Sequence, residues 1–183
     1  SNYEDEHGNI GNTLTFSETS TNNSTKITVP ITIDTTPPSA FAITTESTGG
    51  SVITSGYYNA TNTGIKITIP VADDTSLVGG SIQIQTKNDD ADSSYADWGS
   101  AISITDSIKN TSYVYTSNNF ANAPGYSNDK TISFKVTITD VAGNSTPSNE
   151  PTLIVDTTLP TLQAPTTADN DKITSSTYSS EIG

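Results

Sequence analysis

Thr131-Ile132-Ser133-Phe134-Lys135-Val136-Thr137-Ile138-Thr139-Asp140 is the stretch that sets the reading of this chain. Large apolar side chains stand at every second position, with Ser, Lys and Thr between them. Successive side chains of a β-strand point to opposite faces. The pattern therefore predicts a half-buried strand with Ile132, Phe134, Val136 and Ile138 turned inward. Residues 64–72 repeat it with Ile65, Ile67 and Ile69, and residues 81–86 with Ile82 and Ile84. Working outward, residues 40–44 (continued by 51–54), 101–105, 112–116 and 152–156 are shorter candidates, separated by Gly, Asn, Asp and Ser clusters. The expectation is all-β: a sandwich of about seven antiparallel strands. Upstream, residues 13–16 and 25–29 predict short strands that lead into the run 31–34.

The ends of this unit carry near-copies of one motif. Ile31-Thr32-Ile33-Asp34-Thr35-Thr36-Pro37-Pro38 precedes it, and Leu153-Ile154-Val155-Asp156-Thr157-Thr158-Leu159-Pro160 closes it. Asp34 and Asp156 lie 122 positions apart. Proline cannot donate to a β-ladder, so strand pairing stops at both motifs. Val52-Ile53-Thr54-Ser55-Gly56-Tyr57-Tyr58 is echoed by Lys172-Ile173-Thr174-Ser175-Ser176-Thr177-Tyr178 at nearly the same offset, 120 positions from Ile53 to Ile173. Asp5-Glu6-His7-Gly8-Asn9 weakly matches Asp140-Val141-Ala142-Gly143-Asn144. These offsets predict a tandem array: the C-terminal part of one repeat over 1–34, a complete repeat over 35–156, and the N-terminal part of another over 157–183. The absence of Met agrees with an internal piece of a longer polypeptide.

Composition narrows the function. Val, Ile, Thr and Tyr dominate the apolar stretches, which suits pleated, half-buried surfaces. The 183 residues carry a net charge of −13, from 20 acidic side chains against 7 basic ones, all of them Lys. Such a surface repels phosphate backbones and anionic headgroups, so neither nucleic acid nor direct membrane insertion is expected. Acidity then serves solubility or cation binding. No apolar run has the length of a membrane-spanning helix. Cys is absent, which by itself decides little about the compartment.

Taken together, the strand-like Asp34-Thr-Thr-Pro-Pro linker, Val71-Ala72-Asp73-Asp74 followed by Leu77-Val78-Gly79-Gly80, and Val136-Thr137-Ile138-Thr139-Asp140-Val141-Ala142-Gly143-Asn144 resemble bacterial Ig-like repeats. The resemblance spans the central unit and both partial ones. It implies an extracellular, secreted or surface-anchored protein of the kind that builds long adhesins and stalks. Some such repeats hold calcium at their junctions. The acidic insertion 88–99 departs from a compact repeat of this kind.

In such a sandwich, alternating strand direction brings the leading linker and the loops around 73–80 and 140–144 to one end. Asp34, Asp73, Asp74 and Asp140 would converge there, with Asn144 beside them and Asp156 in the equivalent place at the following junction. Carboxylates that close repel one another unless neutralised, and calcium takes six to eight hard oxygen ligands. These residues are therefore the expected calcium ligands. The other reading of the same residues is turn formation, since Asp accepts backbone N–H bonds and Asp140 with Gly143-Asn144 also suits a hairpin.

The insertion carries Asp89, Asp90, Asp92 and Asp97 together with Tyr95 and Trp98, the only Trp of the chain. Asp89, Asp90, Asp92 and Asp97 could offer a second cation site, with Asp90 and Asp92 foremost, or form a solvated loop. Tyr95 and Trp98 could stack on a glycan, contact a protein partner, or cover the edge of a core. His7 is the only His and there is no Cys; no Gly-x-Ser-x-Gly motif appears and nothing sets two carboxylates across a pocket, so no enzyme is expected. The expected role is a structural spacer, with neighbouring repeats of the same chain as its first partners. The alternatives are a glycan- or protein-binding module using the 88–99 loop, or an accessory domain of a secreted enzyme.

Overall fold

A computed structural model describes residues 13–18 and 27–161. The first two strands, β1 (Thr13–Glu18) and β2 (Ile27–Thr32), form an antiparallel pair running from Thr13↔Thr32 to Glu18↔Ile27. The unit that follows is all-β, with helix confined to two short 3-10 turns, Thr75–Leu77 and Phe120–Asn122. Its strands are β3 (Thr44–Thr48), β4 (Tyr57–Asn59), β5 (Gly64–Val71), β6 (Ser81–Lys87), β7 (Ala96–Asp97), β8 (Ile102–Ser103), β9 (Thr111–Ser117), β10 (Thr131–Thr139), β11 (Ser145–Pro147) and β12 (Thr152–Asp156).

Two sheets face each other in a sandwich-like arrangement. One has three strands in the order β3-β5-β9. The other has seven, with the path β4-β12-β10-β6-β7, β11 beside β10 and β8 beside β6. The period-2 pattern explains the core directly. Ile65, Ile67 and Ile69 of β5, Ile82 and Ile84 of β6, and Ile132, Phe134, Val136 and Ile138 of β10 are all buried between the sheets. β6 and β10 pair over seven positions from Ser81↔Thr139 to Lys87↔Ser133, which brings Ile82 opposite Ile138 and Ile84 opposite Val136. These cross-strand pairs are the unit of sheet stabilisation. Trp98, Phe120, Phe134, Tyr58 and Tyr126 fill the other end of the core as edge-on and stacked rings.

The structure departs from the sequence reading at several strands. Residues 40–43 show the expected alternation, with Phe41 half-buried and Ile43 buried, yet the ladder starts only at Thr44. Side chains satisfy this backbone instead: Asn149 accepts from Ile43 N at 2.7 Å and donates to its carbonyl at 3.3 Å. Residues 51–54 form no strand. The chain leaves the small sheet through Gly49 and Gly50, both at positive φ, and a Cβ at Gly50 would lie 2.0 Å from the Thr61 carbonyl oxygen. It then joins the large sheet as β4, parallel to β12, with Tyr57↔Ile154 and Asn59↔Asp156 in register. The expected antiparallel arrangement thus has one parallel exception, at the strand that follows the change of sheet between β3 and β4. β7 and β11 are too short, at two and three residues, to leave a periodic signal.

The Asp5–Asn9 and Lys172–Tyr178 echoes, with His7, lie outside the described residues. No helix among the described residues is long and apolar enough to cross a membrane.

Candidate junction site

The leading linker is fastened to the sandwich by three polar side chains that follow β10. Asn144 donates its amide Nδ2–H to the Asp34 carbonyl at 3.0 Å, Thr146 Oγ1 donates to the Pro38 carbonyl at 2.6 Å, and Asn149 grips Ile43. Pro38, Phe41, Pro70, Val71, Leu77 and Ile138 line a cavity of about 230 Å³ under this linker. Its lining is apolar and holds no titratable side chain.

Asp140 is the organising residue. It is 3% exposed. Its Oδ1 accepts the backbone N–H of Ala142 at 2.9 Å and of Asn144 at 2.8 Å, and its Oδ2 accepts Asn144 Nδ2 at 2.9 Å. Burial alone would raise its pKa, but hydrogen bonds from the Asn144 side chain and from the backbone of Asn144, Ala142 and Gly143 outweigh it and hold the carboxyl below its ordinary range. Gly143, at φ +97°, lets the chain fold back over the carboxylate. The loop before β6 joins the same knot, since Val141 N donates to the Ser76 carbonyl at 2.9 Å.

The other aspartates are also held in turns. Asp34 Oδ1 accepts Thr36 N at 3.0 Å, and Asp156 Oδ1 accepts Thr158 N at 3.1 Å, so the two linker motifs close the same turn. Asp74 caps the Thr75–Leu77 turn, accepting both the backbone N–H and the hydroxyl of Ser76 at 2.8 Å. Asp73 is exposed and lies 3.5 Å from Lys109 Nζ.

Topology therefore brings Asp34, Asp74, Asp140 and Asn144 to one end, where each carboxylate accepts hydrogen bonds from its own turn. Asn144 turns its N–H groups, not its carbonyl, toward Asp34 and Asp140. Among the described residues no group of three or more His, Asp or Glu side chains stands close enough to share an ion. A melting temperature that differs by less than about 2 °C between millimolar calcium and excess chelator would leave these aspartates as turn formers. A calcium-dependent rise above about 5 °C would support the metal reading.

At the opposite end, the 88–99 segment is a hairpin rather than an open loop. β7 pairs back onto β6 through Gln85↔Asp97 and Thr86↔Ala96. Trp98 N donates to the Ile84 carbonyl at 2.8 Å, which carries the indole inward. Trp98 is 7% exposed and packs against Tyr115, Phe120 and Phe134 with ring centroids 5.6, 5.7 and 6.4 Å away. It presents no face to a glycan. Tyr95 is half-buried, with Lys87 Nζ 4.7 Å and Lys135 Nζ 4.1 Å from its ring centroid. Burial, reinforced by the neighbouring Glu150 carboxylate, pushes its phenol up to about 12. Asp90 bonds Lys130 and Asn88; the Lys130 ammonium holds its carboxyl below the ordinary range. Asp92 is exposed.

Sequence reasoning missed the asparagines that do the fastening. Asn149 secures the leading linker, and Asn128 secures the trailing one, accepting Thr157 N at 2.7 Å and Thr157 Oγ1 at 2.8 Å. In a chain this rich in Asn, no local signal separates them from ordinary loop residues. The two-residue spacing of Asn144 and Thr146 was the one available hint, since it places both on one side of an extended chain. Comparison with family models, curated proteins and solved structures finds no match to this chain.

Proposed function

We propose that this protein is a spacer segment of an extracellular tandem array, built from Ig-like repeats of the kind found in bacterial surface adhesins and stalks. One observation carries the reading. The strand β12 runs straight into a turn closed by Asp156, as β2 runs within two residues into the turn closed by Asp34. Both turns lead to proline, at Pro37-Pro38 and at Pro160. A strand that ends in a tied turn and a proline leaves little free chain between successive units, so the array extends rather than folding back. The junction is stiffened by hydrogen bonds from Asn144, Thr146 and Asn149 to the linker. Neighbouring repeats are the partners this geometry serves, and the acidic surface keeps a long array soluble and apart from anionic membranes.

The binding-module reading keeps only Tyr95 of its two aromatic residues, because Trp98 belongs to the core. Small-angle scattering tests the spacer reading on chains in which residues 35–156 are present once, twice and three times. Each added copy should lengthen the maximum dimension by about 30–40 Å, the length of a nine-residue strand and its turns. A dimension that stays nearly constant as copies are added would reject the spacer role.

A further inference from the structure

β9 is a sheet edge without protection. It pairs with β5 from Ile65↔Ser117 to Val71↔Thr111, and among the described residues no strand lies on its other side. An edge strand directs alternate N–H and C=O groups outward, where they template pairing with another chain. The other edges of the two sandwich sheets are blunted. β3 carries Glu46 at its centre, paired across the strand with Lys66; β4 has three residues and β7 two. β9 has seven residues, Thr-Ser-Tyr-Val-Tyr-Thr-Ser, with no Pro, Gly or charge. Its central Val114 is 48% exposed.

The sequence of this edge is self-complementary. Reversed about Val114, Tyr113 exchanges with Tyr115, Ser112 with Thr116, and Thr111 with Ser117. We propose that two copies of this chain associate through β9, antiparallel, about a two-fold axis at Val114, and join their three-stranded sheets into one. Val114 then faces Val114 of the second copy, tyrosine faces tyrosine, and hydroxyl faces hydroxyl, all favourable cross-strand pairs. A two-fold contact uses the same patch on both copies, and this patch supplies both halves. Charge selects it as well. With a net charge of −13, two copies repel wherever acidic surfaces meet, but no charged residue occurs between Lys109 and Asp129. The interface is independent of the spacer reading; in an array it would join stalks side by side.

The absence of Cys makes the register testable with single substitutions. In the paired strands, the two Val114 Cα atoms would stand about 4.5–5.5 Å apart, within disulfide reach. Val114→Cys should form a covalent dimer on mild oxidation at least about tenfold faster than Val141→Cys, which sits exposed in a turn at the end of the sandwich. Ser112→Cys alone should cross-link poorly, and Ser112→Cys with Thr116→Cys should recover it. Sedimentation equilibrium of the full chain should show a concentration-dependent dimer. Val114→Lys should weaken it at least about tenfold, while Tyr57→Lys at the β4 edge leaves it unchanged. The proposal is overturned if the unmodified chain stays monomeric at millimolar concentration, if Val114→Cys cross-links no faster than Val141→Cys, or if Tyr57→Lys abolishes the dimer while Val114→Lys does not.

Discussion

Trp98→Ala is expected to destabilise the sandwich by about 3–5 kcal/mol, the usual cost of truncating a buried aromatic side chain to Ala. The indole closes the end of the core where β6, β9 and β10 approach the turn at Phe120, and it touches Tyr115, Phe120 and Phe134 at once. These three partners sit in a β-sandwich framework that cannot collapse around the void without breaking the β6–β10 ladder. A net stability of about 5–15 kcal/mol is normal for a domain, so the variant should lie close to the threshold of folding. The melting temperature should fall by about 10–20 °C. Trp98→Phe retains most of the ring contacts and should lose less than half as much. Because Trp98 is the only Trp, unfolding must be followed by far-ultraviolet circular dichroism rather than indole fluorescence. A loss below about 1 kcal/mol would show that the indole is not a core element and would reopen the ligand-binding reading of the hairpin.

Asp140→Ala is expected to loosen both the turn after β10 and the leading linker. The substitution strips the partner from the N–H groups of Ala142 and Asn144, and it frees the Asn144 side chain that reaches Asp34. Part-buried donors that lose their acceptor cost stability, and the melting temperature should drop by at least about 5 °C at pH 7. Asp140→Asn separates the two effects. Its amide oxygen can still accept the two backbone N–H bonds, but its NH₂ would oppose that of Asn144, so the turn survives while the linker contact weakens. The pH dependence follows from the lowered pKa of Asp140. The ionised form is the stabilised one, so the contribution is complete above the ordinary value of 3.8 and disappears as pH falls through the lower folded value. The stability gap between the parent chain and Asp140→Ala should therefore be constant from pH 7 to about 5 and shrink as pH falls below the ordinary value of 3.8. A gap unchanged at pH 2 would mean that the carboxylate charge contributes nothing.

The junction and the β9 edge show why chemistry was harder to read than fold. Aspartates at 34, 74 and 140 do meet at one end, as strand direction required. What each carboxylate does there depends on which donors reach it first. Backbone N–H groups one or two residues away are always within range of a short Asp side chain, whereas a shared ion needs several carboxylates aimed at one point. Here each carboxylate has such local partners, and the amide of Asn144 bridges Asp34 and Asp140.

The strand pattern, the inward faces of β5, β6 and β10, and the two equivalent linker motifs were determined by the sequence alone. Each is a local property: a period of two residues selects a face, and Asp before Thr-Thr selects a turn. The tertiary structure alone decided that β4 lies parallel to β12, that Trp98 turns into the core, that Asn128 and Asn149 fasten the linkers, and that β9 is left as an open edge. Those outcomes depend on which strand lies beside which across tens of residues, and a one-dimensional pattern carries no information about a neighbour that far away. The near-palindrome at residues 111–117 stood in the sequence throughout. It became meaningful only when the fold placed it on an edge with no strand on its far side among the described residues.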